Sequence, residues 1–184
     1  MQRILVIALS AAVLSPAWAQ QFHLAPPDAP ATITIADSAE PGSRLVVRGR
    51  VLDGDGRPVT GASIYAYHTD ATGVYVPGGA GAAGNDRPRL YGYLRSDADG
   101  RYAFSTIKPG PYPAARIPAH VHFEVAAPGH ADRTYEIVFA DDPFLSSDFR
   151  ARARDPLGAV AIVTGRPGAG GTLEVSHDIR LRAR

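Results

Sequence analysis

The sequence predicts an all-β protein, an antiparallel β-sandwich of about eight short strands. Apolar and polar residues alternate at period two through a series of short stretches. Turn sequences built on Gly, Pro and Asp separate those stretches. The chain also carries 19 glycines and 16 prolines, too many for a helix bundle and suited to strands joined by tight turns.

Residues 1–19 read as a leader. Met1-Gln2-Arg3 is a short basic start, Ile4 to Leu14 is a nearly unbroken apolar run, and Ser15-Pro16 ends it. Ala17-Trp18-Ala19 places small residues where a signal peptidase accepts them, so cleavage is expected after Ala19, with export to the periplasm or beyond. The run is too short to span a bilayer, which needs roughly 20 apolar residues. Residues 20–43, rich in Pro and Ala, read as an extended lead-in, and the sandwich domain runs over 44–184.

Within the domain, Leu45, Val47 and Val51 share one phase and Arg48 and Arg50 the other, as in a half-buried strand. Asp53-Gly54-Asp55-Gly56 turns the chain into a second strand over 61–70. A Gly/Ala loop over 77–89 follows, then strands over 89–96 and 101–107 about the turn Asp97-Ala98-Asp99-Gly100. Further strands are expected near 120–126, 133–140, 158–164 and 172–182. In the last of these Leu173, Val175, His177, Ile179 and Leu181 alternate with polar residues. Only Phe144 to Arg154 suits a short helix.

Composition excludes several functions. Of the 19 basic residues one, Arg3, lies in the leader, which leaves 18 against 18 acidic ones. That balance gives no electrostatic footprint for nucleic acid or an anionic membrane. With no cysteine, thiolate metal sites, disulfides and thiol nucleophiles are excluded, so any metal is held by N and O ligands. A homo-oligomer stays open alongside a monomer.

Some motifs mislead. Gly79-Ala80-Gly81-Ala82-Ala83-Gly84 matches the dinucleotide fingerprint in letters, but it lies in a Pro-bounded loop of an all-β pattern and not between a strand and a helix. The two Asp-x-Asp-Gly turns lack the glutamate a calcium loop needs at its twelfth position, which falls on Ile64 and Lys108. His23 and His130 read as solvated loop residues, and His177 as a hydrogen-bonded core histidine. His68 is undecided.

His120-Val121-His122 carries more. On a strand, residues i and i+2 share a face, so both imidazoles can converge on one point, although the same spacing also suits two solvent-facing histidines. Tyr112 is fixed between Pro111 and Pro113 in a rigid loop, and Tyr75 stands just past the end of a strand. Two neutral imidazoles with two phenolates suit a hard, highly charged ion and favour ferric iron. A zinc or copper protein using the histidines alone is the other metal reading.

In this order, these residues resemble the intradiol ring-cleaving dioxygenases, the non-haem ferric enzymes typified by protocatechuate and catechol dioxygenases. The similarity runs from Val47 to Phe139, through Asp70-Ala71-Thr72-Gly73-Val74-Tyr75 and Asp97-Ala98-Asp99-Gly100. Its most specific blocks are Lys108-Pro109-Gly110-Pro111-Tyr112-Pro113 and Pro118-Ala119-His120-Val121-His122-Phe123. The resemblance implies Fe(III) held by Tyr75, Tyr112, His120 and His122, and a sandwich core with the iron between loops and strand ends. It further implies a role in aromatic catabolism, in which a catechol dianion displaces Tyr112 and reacts with dioxygen to give a muconic-type dicarboxylic acid. Ile117 stands where the catabolic enzymes usually place an arginine beside the substrate, with Arg116 one residue away as a second catalytic candidate. Glu136 replaces an expected glutamine, and Tyr67 a common tryptophan. Gly49, Asp53, Gly56, Pro58 and Gly61, with Asp99-Gly100 and Phe104, equally resemble carboxypeptidase-regulatory and transthyretin-like sandwiches, binding modules without this chemistry.

Overall fold

The computed structural model describes residues 22–78, 84, 87–113 and 115–184. The leader expected over 1–19 lies outside the described residues, as does the fingerprint-like stretch over 79–83. The elements, in chain order, are β1 (Thr32–Thr34), β2 (Arg44–Leu52), β3 (Ser63–His68), β4 (Leu90–Arg95), β5 (Arg101–Ile107), β6 (His120–Ala126) and β7 (Arg133–Phe139). Helix α1 (Ser147–Arg152) follows, then β8 (Val160–Val163), β9 (Arg166–Pro167), β10 (Leu173–Ser176) and β11 (Ile179–Arg180). No described helix is long and apolar enough to cross a membrane.

Two sheets form the sandwich. One has the order β1-β5-β2-β10-β9, with β11 also on β2, and the other β4-β3-β6-β7-β8. Alternation sends one face of each sheet inward. Val121, Phe123 and Val125 of β6 meet Leu45 and Val47 of β2 and Phe104 of β5, all at most 1% exposed. Phe123 is the hinge of this layer, stacked on Tyr135 with ring centroids 5.2 Å apart. Both Asp-x-Asp-Gly sequences are turns, in which Asp53 and Asp97 each accept two backbone N–H bonds through Oδ1.

The expected sandwich is present, and its two sheets are mixed rather than wholly antiparallel. Four pairings are parallel: β1 with β5, β10 with β2, β11 with β2, and β7 with β8. Parallel neighbours need a crossover, and the connection from β7 to β8 supplies one by way of α1. Ser146 caps that helix, its Oγ accepting from the Phe149 N–H. Within the lead-in, β1 is a short extended strand that joins β5.

The strand expected over 172–182 is interrupted at His177 and Asp178, yet both halves keep one register, Val175 opposite Val47 and Ile179 opposite Val51. The cause is local. A Cβ on Gly49 would stand 1.8 Å from the His177 carbonyl oxygen, so only glycine admits this approach. That carbonyl accepts from the Tyr102 hydroxyl at 2.7 Å, and the Asp178 carboxylate accepts the Arg50 N–H at 2.9 Å in place of a ladder bond.

Candidate metal centre

The site sits on the outer face of the β4-β3-β6-β7-β8 sheet. His120 and His122 leave β6 on the face opposite Val121, Phe123 and Val125. The His120 Nδ1 is 2.7 Å from the Pro118 carbonyl oxygen. A carbonyl can only accept, so that nitrogen carries the proton and Nε2 presents a lone pair. It faces the His122 Nε2 at 3.0 Å. His122 lies opposite Tyr67 of β3 on one side and Glu136 of β7 on the other. Tyr67 stacks on its ring at 4.5 Å, 12° from parallel, and the Glu136 carboxylate is 3.9 Å from Nδ1.

Two loops bring the tyrosines over this pair. After β3, the Asp70 carboxylate accepts from the Thr72 N–H and hydroxyl and from the Val74 N–H, which folds the chain into a tight turn ahead of Tyr75. Gly73 adopts φ +84°, and a Cβ there would lie 1.9 Å from the Pro111 carbonyl oxygen. Glycine therefore lets the Tyr75 loop press against the loop that carries Tyr112. The two are bonded as well: the Gly110 N–H donates to the Asp70 carbonyl at 2.8 Å, and the Thr69 hydroxyl donates to the Gly110 carbonyl at 3.0 Å. Arg89 secures the outer side, paired with Glu40 at 2.6 and 2.8 Å. As a result the Tyr75 hydroxyl lies 2.8 Å from the Tyr112 hydroxyl and 2.8 Å from the His122 Nε2.

Burial sets the protonation of the group. It drives the His122 imidazole down to about 3, with His120 adding to the effect. It pushes the Tyr75 phenol far above its ordinary value, reinforced by the Tyr112 hydroxyl. Tyr112 is also raised by burial, partly offset by its bond to Tyr75. His122 and the two phenols are thus neutral near neutral pH, and the four donor atoms are in contact. Whenever His122 carries its proton on Nδ1, the nitrogen facing Glu136, two lone pairs oppose each other across the 3.0 Å gap. A cation resolves that opposition and lowers both phenols toward phenolate. Two imidazoles and two phenol oxygens suit a hard trivalent ion, so the residues present fit ferric iron. Among the described residues, His120, His122 and Glu136 also bring one ligand atom each within 4.8 Å of one another.

The structure therefore gathers Tyr75, Tyr112, His120 and His122, and leaves Arg116 out. Arg116 is exposed, its guanidinium 5.7 Å from the centroid of the Phe144 ring. His68 is fully buried, with its ring nitrogens on the Thr69 carbonyl and the Thr106 hydroxyl at 2.7 Å each. His23, expected in solvent, instead bonds Glu124 at 3.1 Å and stacks on Tyr65. Its partner is 101 residues away, beyond the reach of local pattern. His130 is on the surface and His177 is 3.1 Å from the Tyr135 hydroxyl. Sequence reasoning missed that Tyr67 walls the site. The signal was present, because Tyr65 and Tyr67 alternate onto the same outer face as the histidines.

A dioxygenase family model matches residues 13–183. The chain is 32% identical over 139 residues to catechol 1,2-dioxygenase 2 of Acinetobacter lwoffii, covering 66% of this chain and 49% of that protein. It is 37% identical over 134 residues to the protocatechuate 3,4-dioxygenase beta chain of Burkholderia cepacia, covering 68% and 57%. It thus spans about half the length of these relatives. Among solved structures it is similar to the dioxygenase domain of a dioxygenase carbohydrate-binding protein fusion from Streptomyces sp. SirexAA-E, with TM-score 0.64 and 26% identity over 90% of this chain and 96% of that one.

Proposed function

This chain belongs to the intradiol ring-cleaving dioxygenase family, and we propose that it binds one non-haem ferric ion and opens a catechol-type ring between its two hydroxyls with dioxygen. The observation that carries this reading is the convergence of four donor atoms from three separate segments, the Tyr75 loop, the Tyr112 loop and β6. A binding module of the same architecture has no use for that arrangement.

In this reading Tyr75, Tyr112, His120 and His122 hold the ion. When bound, the ion supplies a Lewis-acid centre for the two catechol oxygens and promotes reaction of the ring with dioxygen. The chain's own contributions follow from geometry. The Pro118 carbonyl keeps the His120 proton on Nδ1, so Nε2 stays a donor. Tyr67 prevents the His122 ring from turning. Tyr112 is 8% exposed against 1% for Tyr75. It is the phenolate better placed to give way, and its oxygen takes a proton from a substrate hydroxyl. Arg116, exposed over the Phe144 ring, makes no contact with these four donors and is a candidate to meet the substrate. Export is part of the proposal and is supported by the leader sequence at Met1–Ala19.

The test is metal analysis with a visible spectrum. The expected protein is coloured, holds about one iron per chain, shifts its absorption when catechol is added and consumes dioxygen to form a ring-opened dicarboxylic acid. A colourless protein with stoichiometric zinc after expression with ample iron would overturn the reading.

A further inference from the structure

The outer face of the site-bearing sheet carries an unusual set of side chains. Tyr65 and Tyr67 of β3 pair across the strands with Tyr93 and Tyr91 of β4, making a two-by-two grid of phenols. The Tyr65 ring touches the other three, with centroids 4.8 Å from Tyr93, 5.2 Å from Tyr67 and 5.9 Å from Tyr91, while Tyr91 and Tyr67 are neighbours by strand register. A sheet face turned to water ordinarily alternates to polar residues, so four tyrosines here require an explanation.

The two rows of the grid differ. His23 of the lead-in stacks on Tyr65 at 4.5 Å and is anchored to Glu124, which leaves Tyr65 only 4% exposed. Among the described residues, no ring stacks over Tyr91 as His23 does over Tyr65. Tyr91 is 48% exposed, one of two large hydrophobic side chains so placed among the described residues. That open row leads straight to the candidate metal centre, because Tyr91 lies opposite Tyr67, and Tyr67 lies opposite His122 and stacks on it. At a strand spacing of about 4.8 Å, Tyr91 stands roughly 10 Å from the backbone of His122. A single ring bound at the ion does not cover that distance.

We propose that the Tyr91–Tyr67 row is a stacking subsite for a second aromatic ring, so that the preferred substrates are two-ring catechols rather than catechol itself. The inference rests on the proposed ring-cleaving function and adds the substrate class to it. Tyrosine suits the role, since its flat face stacks and its hydroxyl tolerates water when the subsite is empty.

The experiment compares catechol with 4-phenylcatechol and 4-(2-phenylethyl)catechol on the iron-loaded protein, in the parent and in Tyr91→Ala and Tyr91→Phe. At least one two-ring compound is expected to have a KM about three- to tenfold below that of catechol, as one aromatic stack contributes. Tyr91→Ala should abolish that preference and leave catechol unchanged, and Tyr91→Phe should retain it. A readout independent of turnover is saturation-transfer NMR of 4-phenylphenol on the metal-free protein, where the second ring should receive saturation in the parent and lose it in Tyr91→Ala. Turnover of catechol without any gain from the second ring, or a gain that survives Tyr91→Ala, overturns the subsite. Failure to turn over any catechol overturns the proposed function instead, and the NMR experiment then decides the subsite by itself.

Discussion

Two pairs of histidines separate what burial does from what a metal centre needs. His68 and His177 are held in the interior with their basicity depressed to about 4 each, and His122 to about 3. Burial lowers all three, although His68 is fully enclosed and His122 and His177 keep some exposure. They differ in what their nitrogens face. His68 spends both nitrogens on a carbonyl and a hydroxyl, and His177 meets the Tyr135 hydroxyl. The Nε2 atoms of His120 and His122 face each other, and that of His122 also faces the Tyr75 hydroxyl. A histidine with both nitrogens bonded, as His68 is, is structural, and a pair whose Nε2 atoms face each other beside a phenol oxygen is placed to share a cation.

The sharpest way to break this comparison is to remove one member of each pair. His122→Ala should cut iron affinity at least about a hundredfold, since direct ligands matter more than their supports, which contribute 10–100-fold. Far-UV circular dichroism should be unchanged. His177→Asn should leave iron content at the parent level, and if it bleaches the protein the division between the pairs is wrong.

A second expected effect concerns acid stability. Each of His68 and His177 is neutral in the fold at a pH where the unfolded chain, with an ordinary value of 6.5, is protonated. The unfolded state therefore binds more protons below that value. Stability is full above about pH 6.5, falls as pH drops toward 4, and changes no further from this source below 4. The loss is on the order of 3 kcal/mol per histidine. Urea midpoints between pH 7 and pH 4 should show it, and the difference between parent and His177→Asn isolates one share.

Smaller effects sharpen the same contrast. Tyr135→Phe removes the hydroxyl partner of His177 and should cost about 1 kcal/mol in urea denaturation, with iron unaffected. Glu136→Gln should change iron affinity by only about threefold, because a carboxylate 3.9 Å from the His122 Nδ1 acts as a charge and not as a bonded support. A change of a hundredfold in competition with a chelator would make Glu136 a ligand.

The legible features were those whose cause is local. The His-x-His pair follows from the two-residue period of a strand, and β5 and β6 fall where the alternation places them. Both Asp-x-Asp-Gly turns are written in side chains that bond their own backbone. The role of Tyr75 and Tyr112 was legible only through the family resemblance, since no periodicity connects two loops. That the Arg116 guanidinium rests over the Phe144 ring was not legible, because the two are 28 residues apart in sequence. His23 was placed in solvent because nothing near it in sequence hints at Glu124 and Tyr65.

By itself the sequence determined an all-β chain, most of its strand positions, its turns and the His-x-His pair, because propensity, alternation and turn chemistry act over a few residues. Only the tertiary structure decided that four strand pairings are parallel, that β10 and β11 part where a carbonyl presses on Gly49, and that Gly73 lets one tyrosine loop lie against the other. Those outcomes depend on crossovers and on backbones approaching from far along the chain. Local pattern has no term for either, and the 2.8 Å between the two tyrosine hydroxyls is set by both.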